Sequence, residues 1–156
     1  MKRATSRRQP VSANKSTASP REWSECSQNG DERLTIRRSS INGMGCFSRV
    51  PLPARSKFGE FIGERIGARV ARGGRLSICE IDQGWSIDAS RSGSPTGFVN
   101  PACTPNAYAR IARGRISFYA LRRIEAGEEI TLDYRPTLHP ERRCSCESIC
   151  CRGLMG

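Results

Sequence analysis

The chain has 156 residues, with 26 Lys and Arg against 15 Asp and Glu and a formal net charge of +11. That length suits one ordinary domain with a tail and leaves no room for a second enzyme domain. No run of about eighteen apolar residues and no apolar signal core is present, so a soluble, intracellular protein without a membrane span is expected: cytoplasmic if bacterial, with nuclear and organellar placement left open. The charge favours acidic partners, nucleic acid included.

Residues 1–32 are rich in Ser, Arg, Lys, Asn and Gln and show no sustained apolar period. Such a segment cannot bury enough surface to offset its ordering entropy, and a disordered basic tail is expected, offering nucleic-acid contact. Its first part, MKRATSRRQPVSANKSTASPR, has no acid. Organelle transit peptides share that composition, but Pro10 and weak amphipathicity favour a plain tail.

From Leu34 onward short apolar or alternating runs are punctuated by Gly and Pro: LTIRR, GCFSRV, FGEFIGERI, LSICEI, WSID, AYARIA, RISFYAL and EEITLDY. These suit strands, and no segment carries a long helical period. Arg113-Gly114 reads as a hairpin turn between AYARIA and RISFYAL, and Ala126-Gly127 turns the chain into the last strand. A mainly β domain of short strands is predicted, with a cysteine-rich C-terminus.

Of eight cysteines, Cys144, Cys146, Cys150 and Cys151 crowd one stretch, while Cys26, Cys46, Cys79 and Cys103 are dispersed. In a reducing compartment clustered thiols usually ligate metal, and neighbouring cysteines make a poor disulfide framework. Redox-active or free thiols are the alternative.

Four features follow one another: NGMGCF at Asn42–Phe47, NPACTPN at Asn100–Asn106, EEITLDY at Glu128–Tyr134, and CSCESICCRG at Cys144–Gly153. Each alone is weak; Gly43-Met44-Gly45 could be an ordinary turn, and Tyr134 a packed strand end. In this order and spacing, with ARSKFGEFIGE and EIDQGWSIDAS between them, they resemble the SET-domain protein-lysine methyltransferases with a post-SET segment, in a small single-domain form. The resemblance covers roughly Leu34 to Gly156. It implies a tail at 1–32, a catalytic SET domain at 33–135 and a zinc-binding post-SET segment at 136–156. The implied fold is mainly β, with short strands in several small sheets and a threaded, knot-like C-terminal core.

The resemblance also implies S-adenosylmethionine as cofactor and a protein lysine as substrate. Gly43, Met44 and Gly45 match the first cofactor motif, where glycines allow a close backbone approach. Asn100 and Pro101 match the second, Tyr134 is the implied catalytic residue at the cofactor and lysine channel, and Leu154 would close over the adenine. Cys103, Cys144, Cys146 and Cys151 would hold structural zinc through four thiolates, with Cys150 spare. Glu129 and Asp133 are expected to hydrogen-bond the threaded loop. His139, the single histidine, is not expected to act as a base.

Several positions depart from the family pattern. Pro101 replaces histidine and lacks the N–H expected to reach the adenine, at a cost of about 0.5 to 1.5 kcal/mol. Ser77 stands where tyrosine is common, Gly97 where arginine is common, and Leu132 replaces an aromatic residue. Tyr108, Tyr119, Phe98 and Trp85 are candidates for the channel wall. A SET-like binding protein with weakened turnover and a zinc-stabilised nucleic-acid-binding module are the rival readings.

Overall fold

A computed structural model describes residues 32–67, 77–82, 84–134 and 143–154. The basic tail, apart from Glu32, and the linker with His139 lie outside the described residues. Among the described residues no helix is long and apolar enough to cross a membrane.

The first hairpin pairs β1 (Leu34–Arg38) with β2 (Met44–Ser48), from Leu34 opposite Ser48 to Arg38 opposite Met44. Its turn closes through the Ser39 amide on the Gly43 carbonyl at 3.0 Å, with Gly43 at φ +48°, a conformation that costs glycine little. The run FGEFIGERI forms two strands in different sheets, β3 (Lys57–Glu60) and β4 (Glu64–Gly67). Between them Gly63 lies so close to the neighbouring backbone that a Cβ there would fall 2.8 Å from the Ala89 nitrogen.

β4 and β5 (Ile78–Asp82) both pair antiparallel with β6 (Trp85–Asp88). After a short 3-10 turn at Pro95–Phe98 come β7 (Asn100–Pro101), β8 (Ala107–Ala112), β9 (Arg115–Ala120) and β10 (Thr131–Leu132). β9 runs between β3 and β8. The hairpin turn at Arg113 and Gly114 has φ values of +51° and +70°, the double positive φ of the tight turn that matches strand twist. The expected mainly β architecture of short strands in several small sheets is what the chain forms.

The core gathers residues from all these pieces, including Cys46, Leu52, Phe58, Ile116, Ile124 and Ile130, each at most 1% exposed. Phe58 stacks on Phe118 and Phe61 meets the same ring edge-on, with centroid distances of 6.2 Å.

The stretch EEITLDY is a ladder only at Thr131–Leu132, where β10 lies parallel to β7. Its other backbone groups bond elsewhere. The Ser48 amide donates to the Glu128 carbonyl at 3.0 Å and the Ile130 amide to the Cys46 carbonyl at 2.8 Å, both toward β2. On the opposite side the Thr131 amide donates to Asn106 Oδ1 at 2.9 Å, and Asn106 Nδ2 donates to the Glu129 carbonyl at 2.7 Å and to Glu128 Oε1 at 2.9 Å. The Ala102 amide reaches the Leu132 carbonyl at 2.8 Å. Residues 128–132 are therefore sandwiched between β2 and the 100–106 segment.

Asn106 is 2% exposed, and its truncation would leave several buried groups unpaired. Asn106→Ala is expected to lower unfolding free energy by about 3 kcal/mol, read from a denaturant midpoint. A loss under about 1 kcal/mol would show that the crossing does not depend on it. Glu128 adds a pH dependence: burial disfavours its charge, but Arg122, the Glu125 amide and Asn106 donate to it and hold it at about 2. Its contribution is complete above the ordinary carboxylate range and is lost as pH falls toward about 2, so acid unfolding of Glu128→Gln should show a shallower pH dependence than that of the natural chain.

Candidate active site

Asn100 sits at the start of β7, 5% exposed. Its Nδ2 donates to the Met44 carbonyl at 3.1 Å, to the Asn42 carbonyl at 3.3 Å and to Glu129 Oε1 at 2.8 Å. These oxygen acceptors fix the orientation of the amide. Both N–H bonds are thus committed, and Oδ1 is a buried acceptor without a donor among the described residues. Glu129 also accepts from Ser39 Oγ at 2.9 Å. A Cβ on Gly45 would lie 2.9 Å from the Glu129 carboxyl carbon and 3.0 Å from Ser39 Cβ, so only glycine lets the 43–45 strip approach this cluster. Burial, with the Glu129 charge adding to it, pushes the Cys46 thiol up, leaving it a neutral core group.

Tyr134 is partly buried and packs against the core, as Cys79 and Phe61 also do. Its hydroxyl donates to the Val99 carbonyl at 2.7 Å. Burial, and secondarily the Cys79 sulfur, pushes Tyr134 up to about 12; it stays protonated at neutral pH and keeps that bond. Val99 and Asn100 are consecutive, so one backbone junction carries both the tyrosine anchor and the amide that grips the 42–44 loop.

The sulfurs of Cys103, Cys144, Cys146 and Cys151 all lie within 4.8 Å of one another. Cys103 Sγ is 3.7 Å from Cys144 Sγ and 3.9 Å from Cys151 Sγ. Four thiolates about 2.3 Å from one ion stand about 3.8 Å apart at tetrahedral angles, so the donor set fits zinc. Backbone amides supply further polarisation: Cys103 N to Cys146 Sγ at 3.4 Å, Arg152 N to Cys103 Sγ at 3.3 Å and Gly153 N to Cys151 Sγ at 3.4 Å. Burial opposes ionisation of Cys146, but the Cys103 and Ser148 amides donate to it and pull its thiol down. Cys150 is exposed and outside the cluster.

The terminal segment is tied down at further points. Thr104 Oγ1 and Ser148 Oγ are 2.8 Å apart, Cys144 N donates to the Gly153 carbonyl at 3.0 Å, and Leu154, 45% exposed, bridges Arg143. Asp133 binds the terminal segment through Arg152, and Glu129 accepts from Asn100 of the 100–106 segment. Arg152, Ser39 and the Val99 carbonyl are site components that motif reading missed. The first lies in the recognised CRG, whereas no local pattern marks the other two.

The family model described as SET domain matches residues 43–135. The chain belongs to the SET-domain family. A Candida albicans protein named histone-lysine N-methyltransferase, H3 lysine-4 specific, is 36% identical over 78% of this chain and 14% of its own length. A Saccharomyces cerevisiae protein of the same name is 33% identical over 78% of the chain and 13% of its length. An Arabidopsis thaliana histone H3-lysine(4) N-trimethyltransferase is 33% identical over 80% and 13%. The chain thus spans less than one sixth of these relatives.

Within this SET domain three of the four aromatic candidates have ring partners. Tyr108 and Tyr119 stack on each other across the β8–β9 hairpin at 5.4 Å, and Trp85 lies under the Arg65 guanidinium at 4.7 Å. Gly97 packs close: a Cβ would fall 3.2 Å from Ala89 Cβ, so arginine there requires Ala89 to move. The Ser77 carbonyl accepts the Ala89 amide at 2.8 Å. Leu132 is 9% exposed in the core, paired with Pro101.

Metal analysis of the purified protein should give about one zinc per chain. Cys151→Ser is expected to release it, whereas Cys150→Ser should retain it; equal retention by both variants would dissolve the four-sulfur assignment.

Proposed function

We propose that this chain is an S-adenosylmethionine-dependent protein-lysine N-methyltransferase, with Tyr134 as its catalytic residue and zinc as a structural element. The observation that carries the reading is the Val99–Asn100 junction, which joins the tyrosine anchor to the amide clamping the Gly43–Gly45 loop. A buried Asn100 acceptor with both N–H groups committed suits a cationic donor, as the ammonium of the cofactor's methionine part would be. Gly43, Met44, Gly45, Asn100 and Pro101 would hold the cofactor on this side, and Leu154 would close the adenine side. When bound, S-adenosylmethionine supplies a methyl group activated by its sulfonium charge for in-line transfer to an amine.

The residues of the chain then have defined tasks. The Tyr134 proton is committed to the Val99 carbonyl, so its oxygen is left to accept from an incoming lysine amine and aim it. A lysine with an ordinary pKa of about 10.4 must arrive neutral, and the apolar core against which Tyr134 packs disfavours the ammonium form. Tyr134 held near 12 is no base at neutral pH; orientation and desolvation are its contribution.

The relatives named above carry histone H3 lysine 4 in their names, which makes a lysine in an extended histone-type segment the first substrate to test. Pro101 supports the rival reading, a SET-type binding domain with weakened turnover, because it offers no N–H at a cofactor-facing position. Incubation of the pure protein with methyl-labelled S-adenosylmethionine and histone H3 should label lysine. Tyr134→Phe is expected to slow turnover about tenfold, equivalent to about 1.4 kcal/mol. Cofactor binding without label on any protein lysine would favour the binding domain.

A further inference from the structure

Arg152 and Asp133 make a contact that neither the four-sulfur knot nor the threaded core requires. Arg152 Nη2 donates to Asp133 Oδ1 at 2.8 Å and Nη1 to Oδ2 at 3.3 Å, a planar two-toothed fork of the kind only arginine offers. Asp133 joins β10 to Tyr134, and Arg152 follows Cys151 of the knot. The fork therefore runs from the neighbour of the candidate catalytic tyrosine to the segment that carries Leu154.

The sulfur cluster alone is a poor rudder for that segment. Cys151 is its last sulfur donor, and Gly153, with φ +80°, lies between it and Leu154. The Cys144–Gly153 bond and the Arg143–Leu154 bridge tie Leu154 only to its own segment, so outside the sulfurs they leave the tilt of that segment on the core to the soft backbone dihedrals. A second anchor at position 152, bidentate and so fixed in plane as well as in distance, removes much of that freedom. Leu154 is 45% exposed, leaving apolar surface for a ligand to cover.

We propose that the Arg152–Asp133 pair is a latch that sets the C-terminal segment at the angle needed to wall the cofactor site, making both residues positioning residues for cofactor binding. This rests on the methyltransferase reading of the site. The latch is electrostatic and partly open to water, the two side chains being 31% and 19% exposed, so added salt weakens it.

The test uses the full chain and three readouts: zinc content, amide hydrogen exchange of residues 143–154 without ligand, and calorimetric affinity for S-adenosylhomocysteine across a salt series. Arg152→Ala should keep one zinc per chain, exchange faster in that segment and bind about fivefold more weakly, with a flatter salt dependence than the natural chain. In turnover, KM for the cofactor should rise while kcat at saturation holds. Arg152→Lys should fall in between, and the exchanged pair Asp133→Arg with Arg152→Asp should recover affinity. Unchanged affinity and exchange in Arg152→Ala would overturn the latch, as would loss of zinc and affinity together, which would place the arginine in the metal knot. Failure of the natural chain itself to bind S-adenosylhomocysteine would bring down the site reading and the latch's cofactor role together, whereas binding by the natural chain with an indifferent Arg152→Ala overturns the latch alone.

Discussion

The polar crossing of two chain segments, residues 100–106 over 128–132, is the constraint from which the rest follows. The parallel ladder between them is two residues long, too short to hold a register by backbone bonds. Asn106 supplies the missing partners, since a side-chain amide carries the donor and acceptor pair of a peptide group; it accepts from the Thr131 amide and donates to the Glu129 carbonyl. Each of these groups is costly to leave unpaired in the interior. A slip by one residue would break them together, so the crossing has one register.

The candidate site is a by-product of that crossing. Once 128–132 is held between β2 and the 100–106 segment, Glu129 reaches Asn100 on one side and Ser39, ninety residues earlier, on the other. Gly45 must lack a Cβ for this to close. Tyr134, two residues beyond β10, comes to the Val99 carbonyl. Three stretches far apart in sequence meet, and the surfaces assigned to cofactor and substrate amine end on the consecutive residues Val99 and Asn100.

The strand segments, the Arg113-Gly114 turn and the motif-bearing loops were legible because their signals are local: alternation, glycine at positive φ and characteristic spacing. The division of FGEFIGERI between two sheets was not, since the approach of Gly63 to Ala89 depends on a partner more than twenty residues away. Nor could the sequence show that EEITLDY would use a side chain in place of a strand neighbour. Asp133 reads the same as Glu129 in isolation, and only the fold turns one toward Arg152 and the other toward Asn100. That Tyr108 would stack on Tyr119 and Trp85 lie under Arg65 was equally out of reach, because neither partner is marked locally.

The terminal segment raises a different physical question, because residues 143–154 contribute no fully buried side chain. Twelve residues with that exposure profile cannot offset their own ordering entropy, at about 1 to 2 kcal/mol each for the backbone, through apolar burial. Order must come from outside the hydrophobic effect: the four sulfurs, the Thr104–Ser148 pair and the Arg152 fork. One of the sulfurs, Cys103, belongs to the crossing segment, so on the proposed reading free energy gained by a metal there would order the terminal segment and do little for the core, whose buried residues among those described end at Leu132. Site and core then have separable stabilities. On that reading the terminal segment would melt when its polar and metal anchors fail, at conditions that leave the crossing intact.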